Sequence, residues 1–231
     1  MLTLEGMRVE MEGFTLDAEL SVPTGARVAV LGPSGAGKST LLGAIAGFQP
    51  VAAGRVLWKG AAMPAAPAKR PVSMVFQDNN LFPHLSAFDN VAMGLSPSLR
   101  LSEAERVRVG GALQRVGLNG YGDRKPGRLS GGQVARVALA RVLLRDRPLL
   151  LLDEPFGALG PALKAEMLSL VADLLDETGA TLMMVSHEPQ DARLIADHVV
   201  LVAEGRAHAP VSTGEIFANP PEALRDYLGQ A

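Results

Sequence analysis

The chain contains no cysteine among its 231 residues. This absence excludes a disulfide scaffold, a thiolate metal site and a catalytic cysteine. Aromatic residues make up only 4% of the sequence and the formal net charge is −2, so composition indicates neither a nucleic-acid partner nor an anionic membrane partner. No apolar run approaches the roughly 20 residues that span a bilayer, and the N-terminus lacks the pattern of a signal peptide. We therefore expect a cytosolic protein without a membrane span.

The apolar pattern predicts strands that alternate with helices. Short apolar runs, which predict buried strands, occupy residues 28–31, 72–76, 149–152, 181–185 and 199–202. Helices are expected over about residues 38–46, 133–145 and 161–177. Residues 1–23 alternate around a turn at Glu12-Gly13, which predicts an antiparallel pair. We therefore predict an α/β fold with a mixed or parallel core sheet and an N-terminal antiparallel β subdomain.

The block from about residue 78 to 147 has no strand signal and predicts a helical insertion. We therefore expect one domain, whose core comprises about residues 1–77 and 148–231 and whose helical subdomain comprises about residues 78–147.

The first functional motif is a phosphate-binding loop that follows the apolar run at 28–31. Residues 32–39 read GPSGAGKS and match G-x-x-x-x-G-K-[ST] in full. The glycines let backbone N–H groups surround an anion, and the dipole of the following helix adds to the attraction. We expect Lys38 to reach the β- and γ-phosphates of a nucleotide and Ser39 to bind Mg²⁺. The residues predicted to bind the nucleotide here are Gly32, Pro33, Ser34, Gly35, Ala36, Gly37, Lys38, Ser39 and Thr40.

A pair of acids follows the run of four leucines at 149–152. Asp153 at the carboxyl end of the strand lies where open α/β sheets bind ligands, and we expect it to hold Mg²⁺. Glu154 is the better candidate for polarising the attacking water. Two adjacent acids beside a buried strand are unfavourable unless they serve a cation, which favours a functional role.

The segment Leu129-Ser130-Gly131-Gly132-Gln133 resembles the signature of the ATP-binding cassette (ABC) family. The resemblance covers essentially the whole chain, and the motifs occur in the family's order. It implies a P-loop NTPase fold, a RecA-like core, and ATP and Mg²⁺ as cofactors. It also implies a head-to-tail dimer in which Ser130, Gly131, Gly132 and Gln133 bind the ATP of the other subunit.

Two single residues take their meaning from the same resemblance. Gln77 resembles the family's glutamine that senses Mg²⁺ and the attacking water, and His187 resembles the histidine that contacts the γ-phosphate. Together with Lys38 and Glu154 they form the expected catalytic set, and Ser39, Gln77 and Asp153 form the expected metal set.

The sequence departs from the family pattern at two places. Gly160 replaces an aspartate that usually follows the acid pair, so we expect hydrolysis to be retained with weaker coupling between subunits. Where the family places an aromatic residue against adenine, the chain has Met11, and Phe14 lies close by; either residue is a candidate for the adenine contact.

The residues around Gln77 resemble those of the ATP-binding subunits of bacterial thiamine importers, including Asn79-Asn80 and the later segment 161–168. The resemblance implies permease subunits that contact about Asp78–Gly94, a periplasmic substrate-binding protein that acts indirectly, and a peripheral location at the cytoplasmic face of the inner membrane. Importers for iron, polyamines, sulfate or molybdate share much of this region and stay open as alternatives.

A non-transport ABC ATPase of the cell-division type also stays open. A nucleic-acid-associated member is not expected, because the sequence has no sustained heptads and no basic patch. A small-molecule kinase would share the phosphate loop but has no use for residues 129–133.

Overall fold

The computed structural model describes residues 1–229 and shows a mixed sheet with helices on its faces. The strands are β1 Leu2–Met11, β2 Phe14–Val22, β3 Arg27–Leu31, β4 Ala53–Trp58, β5 Ala61–Ala62, β6 Val72–Val75, β7 Leu149–Asp153, β8 Thr181–Val185, β9 His198–Ala203, β10 Arg206–Ala207 and β11 Val211–Ser212. The helices are α1 Lys38–Ala46, α2 Ala87–Ala92, α3 Glu103–Arg115, α4 Gly131–Arg145, α5 Pro161–Thr178, α6 Pro189–Ile195, α7 Thr213–Ala218 and α8 Glu222–Tyr227, with 3₁₀ turns at Pro67–Lys69 and Pro126–Arg128.

The sheet has a parallel half and an antiparallel half. Strands β9, β3, β8, β7 and β6 lie side by side in that order and are parallel. Strands β5, β4, β1 and β2 are antiparallel, and β10 joins the two halves by pairing with β2 and β9. The expected mixed α/β architecture, with its antiparallel N-terminal part, is confirmed.

Side chains alternate between the two faces of the parallel half, because successive residues of a strand point to opposite sides. Leu149 and Leu151 pack with α1 and the antiparallel strands, whereas Leu150 and Leu152 pack with α4 and α5. All four leucines are buried. This two-sided burial accounts for the unbroken apolar run that the sequence shows.

Helices α2, α3 and α4 follow β6 and precede β7, and they pack on one another around a separate apolar cluster that includes Val91, Leu113 and Val137. The helical insertion expected between the strands is therefore present; the division into core and subdomain at residues 77 and 147 stays a prediction. Within residues 1–229, none of the helices combines the length and apolar character needed to cross a membrane.

The ends of three helices lie at or within two residues of the positions expected from the sequence. Helix α1 spans Lys38–Ala46 and ends at Gly47 in the left-handed conformation, as its sequence predicts. Gly160 is the N-cap of α5, with Pro161 in its first turn. Helix α4 begins two residues earlier than expected, at Gly131, because Ser130 and Gln133 form a reciprocal capping box.

Candidate functional site

The carboxyl ends of four parallel strands meet at one edge of the sheet and carry the predicted site residues. The phosphate loop follows β3, and Gln77 follows β6. Asp153 ends β7, and His187 follows β8. This edge is where open α/β sheets bind ligands. The topology thus brings together residues that lie far apart in the sequence.

The phosphate loop requires glycine at positions where the backbone turns or approaches another strand closely. Gly32 has a φ of +147°, and a Cβ atom there would lie 2.0 Å from the carbonyl oxygen of Val202 in β9. Gly37, with a φ of +101°, is the N-cap of α1 and offers no side chain to the first N–H groups of the helix. Those N–H groups have no intrahelical partner and point toward the loop, where they can bind an anion.

The middle residues of the phosphate loop are exposed to solvent, whereas its lysine is buried. Pro33, Ser34 and Gly35 are exposed, Ala36, Gly37 and Thr40 are half-buried, and Lys38 is buried. A ligand can therefore reach the loop from outside, while the lysine approaches from within.

Phe14 and Met11 form a facing pair at the end of the β1–β2 hairpin, but their surroundings differ. The Phe14 ring packs against the phosphate loop, where a Cβ atom on Gly37 would lie 2.6 Å from its Cζ. Met11 is 46% exposed. Of the two candidates for an adenine contact, Met11 therefore has the free side chain, and Phe14 supports the loop.

Lys38 folds back over the loop that precedes it. Its Nζ donates to the carbonyl oxygens of Gly32 and Pro33, each at 2.9 Å. Burial lowers the pKa of Lys38, while the carboxylates of Glu154 and Asp153 oppose that shift. The ammonium group thus occupies the concave side of the loop, where phosphate oxygens could replace the two carbonyls.

Asp153 and Ser39 meet between β7 and α1. The Ser39 hydroxyl donates to Asp153 Oδ1 at 2.9 Å. Burial raises the pKa of Asp153, and although the Ser39 hydrogen bond and the charges of Lys38 and His187 act in the opposite direction, the net shift is upward. A buried carboxylate beside a hydroxyl is a donor set that suits Mg²⁺, which prefers oxygen ligands.

Glu154 and His187 are in direct contact, with Glu154 Oε1 2.5 Å from His187 Nε2. Glu154 adopts a left-handed backbone conformation with a φ of +47°, which is unfavourable for a residue other than glycine and is often retained at functional sites. Its N–H donates to the carbonyl oxygen of Val185 in β8 at 3.2 Å, which anchors the turn. Gln77, Glu154 and His187 line one cavity of about 410 Å³.

The segment Ser130–Gln133 lies elsewhere, at the start of α4. The Ser130 hydroxyl accepts the N–H of Gln133, and the Gln133 side chain accepts the N–H of Ser130. Gly132 is buried against Leu163 of α5, where a Cβ atom would lie 2.4 Å from Leu163 Cδ2. One chain therefore presents two separate surfaces that can bind an anion: the phosphate loop and the N-terminus of α4.

The structure adds residues to the site that the sequence did not indicate. The Tyr227 hydroxyl donates to the His187 carbonyl oxygen at 2.5 Å, and the ammonium group of Lys164 pairs with Glu188. Lys164 lies in the segment 161–168 that carries part of the resemblance, but no site role was expected for it, and Tyr227 belongs to no motif and lies 40 residues after His187. No sequence signal could have identified them, since a lone tyrosine or lysine has no characteristic spacing.

Comparison with known proteins places this arrangement in a family. The ABC transporter family model matches residues 16–157. The chain is 58% identical over 230 residues to the thiamine import ATP-binding protein ThiQ of Cereibacter sphaeroides, covering 99% of this chain and 100% of the relative. It is 46% identical over 231 residues to the protein of the same name from Brucella suis, covering 99% and 96%.

Two solved structures resemble the fold. One is a dimeric post-hydrolysis state of the ATP-binding cassette MJ0796 bound to ADP and phosphate, with a TM-score of 0.80 and 28% identity, covering 92% of this chain and 99% of that one. The other is cbiO1 from Clostridium perfringens, part of an ABC transporter complex, with a TM-score of 0.80 and 29% identity, covering 97% and 93%. The matching family model, the relatives and the geometry of the sheet edge agree that the chain belongs to the ABC transporter family.

Proposed function

We propose that this chain is the ATP-hydrolysing, energy-coupling subunit of a bacterial importer for thiamine or its phosphates. The observation that carries the proposal is the convergence of the phosphate loop, Asp153, Glu154 and His187 at one sheet edge, in a chain whose relatives are thiamine import ATP-binding proteins. The substrate is inferred from those relatives, because the transported solute does not contact this subunit.

ATP binds on residues Gly32–Thr40. The N–H groups at the start of α1 and the glycine-rich backbone surround the phosphates. Lys38 exchanges its hydrogen bonds to the Gly32 and Pro33 carbonyls for the β- and γ-phosphates, so its position is already set before the nucleotide arrives. Exposed Met11 packs against the adenine, while Phe14 holds the loop in shape.

The residues that would hold Mg²⁺ are Ser39, Asp153 and Gln77. The Ser39 hydroxyl and the buried Asp153 carboxylate are already in contact, and the raised pKa of Asp153 indicates a carboxylate that a cation would stabilise. When bound, Mg²⁺ neutralises charge that develops on the transferring phosphate.

Glu154, His187 and Gln77 act on the attacking water. Glu154 accepts a proton from the water, and His187 directs its Nε2 toward the same point, because the two side chains already meet across the cavity. Gln77, on the cavity wall, orients the water for in-line attack.

Two copies assemble head to tail. In each chain Ser130, Gly131, Gly132 and Gln133 lie at the start of α4, whereas the phosphate loop leads into α1, and we expect the α4 residues to close on the ATP of the partner. The first N–H groups of α4 then face the γ-phosphate. Gly160 lacks the carboxylate that would reach across this contact, and we keep the prediction of weaker coupling between subunits.

Permease subunits contact the segment Asp78–Gly94, which leaves the site directly after Gln77 and exposes Phe82 and His84. The subunit is peripheral at the cytoplasmic face of the inner membrane, and a periplasmic binding protein delivers the substrate to the permease. This division of tasks places all of the ATP chemistry on one chain and all of the solute contacts on others.

The test is uptake of labelled thiamine by cells that can neither synthesise thiamine nor make this chain. The parent chain should restore both the uptake of labelled thiamine and growth on limiting thiamine. Glu154→Gln should restore neither, because it binds ATP without hydrolysing it. Expression of both forms is checked by immunoblotting. Normal thiamine uptake without this chain would contradict the proposal, as would restored uptake of iron, polyamine, sulfate or molybdate in place of thiamine.

A further inference from the structure

The loop that carries His187 is held from one side by a buried polar cluster. Ser186 donates to Asp191 Oδ2 at 2.5 Å, and Lys164 Nζ lies 3.7 Å from the same carboxylate. Lys164 also pairs with Glu188. The residues that flank His187 are thereby tied to α5 and α6, while the His187 imidazole is left 45% exposed and in contact with Glu154.

A different element holds His187 itself. Helix α8, near the end of the described chain, returns to the site, and the Tyr227 hydroxyl donates to the His187 carbonyl oxygen at 2.5 Å. The Tyr227 ring packs on a cluster that includes Ala192 of α6 and Leu201 of β9, so the hydroxyl is held in place by the fold. The hydrogen bond restrains the peptide plane after His187 and therefore the ψ angle of that residue, which limits the movement of the Cα atom that carries the imidazole.

We propose that Tyr227 is a positioning residue for His187: by holding the His187 carbonyl, it keeps the imidazole directed at Glu154 and at the attacking water. This inference rests on the proposed function of His187. It assigns to the C-terminal helix, which has no motif of its own, a part in the ATPase cycle.

The chemistry of Tyr227 suits this task. Burial raises the pKa of Tyr227, and the neighbouring charges of Glu154, Asp191 and Glu188 raise it further. The hydroxyl therefore remains a neutral donor at any pH at which the enzyme works, and the anchor does not vary with the protonation of its surroundings.

The test compares Tyr227→Phe with Tyr121→Phe in the full chain. Both changes remove one phenolic hydroxyl and keep the ring. Tyr121 packs on the apolar cluster of the helical block, and Arg124 lies over its ring. Loss of one net hydrogen bond corresponds to a factor of about 2 to 10. We expect Tyr227→Phe to lower kcat for ATP by that factor with KM unchanged, and Tyr121→Phe to match the parent. Thermal unfolding is recorded for each variant, and assays run well below the lowest Tm.

A double-mutant cycle separates positioning from general support of the fold. If Tyr227 acts through His187, Tyr227→Phe will cause no further loss in a His187→Ala background, measured by single-turnover hydrolysis with enzyme in excess. Parent-like kcat in Tyr227→Phe, or an equal loss in both backgrounds, would overturn the inference alone. Undiminished hydrolysis by His187→Ala would instead overturn the role proposed for His187, and the absence of hydrolysis by the parent would overturn the proposed function.

Discussion

The fold buries the carboxylate of Asp153. Among the described residues, no cationic side chain forms a salt bridge with it. It is 7% exposed, and its one hydrogen bond comes from the Ser39 hydroxyl. Burial raises its pKa, which means that the charged form is less favourable in the folded state than in the unfolded chain. The residue best placed for metal binding therefore lowers the stability of the nucleotide-free protein.

We predict that Asp153→Asn stabilises the nucleotide-free protein at neutral pH by about 1 kcal/mol, a rise in Tm of about 2–4 °C. The amide removes the buried charge, and its oxygen can still accept from Ser39. With Mg²⁺ and ATP the parent should have the higher Tm, because its Asp153 carboxylate is stabilised by the cation and the asparagine amide is not. Differential scanning calorimetry with and without Mg·ATP measures both effects.

The same substitution has a defined pH dependence. A carboxyl whose folded pKa is raised contributes stability below its unfolded pKa and loses it as pH rises through the folded value. The gap in Tm between Asp153→Asn and the parent should therefore be smallest near pH 4 and widen toward pH 7. A gap that is constant over this range, or that narrows as pH rises, would contradict the assignment of the burial cost to Asp153.

At the scale of elements, α4 links two distant parts of the molecule. Its N-cap is Ser130, and in its last third Arg141 reaches the segment after Gln77. Arg141 Nε donates to the Asn90 carbonyl oxygen at 3.0 Å, Nη1 to the Asn80 carbonyl oxygen at 2.9 Å and Nη2 to Asn90 Oδ1 at 3.0 Å. Asn90 is fully buried and in turn bonds both the N–H and the carbonyl of Phe82. One helix thus fixes the shape of the proposed permease contact.

Replacing Arg141 with methionine should loosen that contact. The change keeps an apolar stem but removes three donors and leaves the buried Asn90 carbonyl oxygen without its Arg141 partner, so we expect a loss of about 1–3 kcal/mol. Faster amide exchange should be confined to residues 78–90, as measured by mass spectrometry. Arg108→Met on the exposed face of α3 is the matched control and should leave exchange unchanged. Unaltered protection of residues 78–90 in Arg141→Met would show that other contacts hold the segment.

Elements with strong local signals could be predicted from the sequence, and those that depend on neighbours could not. Strand β8 lies at residues 181–185 as expected, because a strand buried on both faces is nearly all apolar, and here only Thr181 is polar. Strands β10 and β11 have two residues each, and α7 and α8 six each. Such short elements have little stability of their own and form on the surface that the rest of the chain provides.

The candidate site likewise contains residues that the sequence could predict and contacts that it could not. The phosphate loop was predicted from its full motif, Asp153-Glu154 from the leucine strand that precedes them, and His187 from the family resemblance. The structure places all of them at one edge of the sheet. The contact between Tyr227 and His187 depends on where α8 packs, which no local spacing encodes. The choice between Met11 and Phe14 likewise depended on which side chain covers Gly37.

At the scale of the whole molecule, the separation of Ser130–Gln133 from the phosphate loop leads to a prediction about assembly. Glu154→Gln should bind ATP and form a stable dimer, because closure requires nucleotide but reopening requires hydrolysis. Light scattering after size exclusion should give twice the chain mass with Mg·ATP and the chain mass with ADP.

The control for assembly is Ser130→Arg in the Glu154→Gln background. The bulky cation at the start of α4 should prevent closure without touching the phosphate loop of its own chain, so ATP binding to the monomer is retained. A dimer that persists with Ser130→Arg would contradict the head-to-tail arrangement, and a hydrolysis rate equal to that of the parent in Glu154→Gln would contradict the role of Glu154.

The position of β3 in the sheet has a consequence for biosynthesis. The strand that leads into the phosphate loop is early in the sequence, yet it lies between β8 and β9, which end at Val185 and Ala203. At ordinary rates of translation, roughly ten to thirty seconds pass before both neighbours have been made. Until β8 is made β3 has no strand to pair with, and until β9 is made the side of the phosphate loop that Val202 covers stays open. A ribosome-bound chain should therefore acquire affinity for ATP only when synthesis is almost complete, so that unfinished copies neither sequester nucleotide nor compete for a place beside the permease.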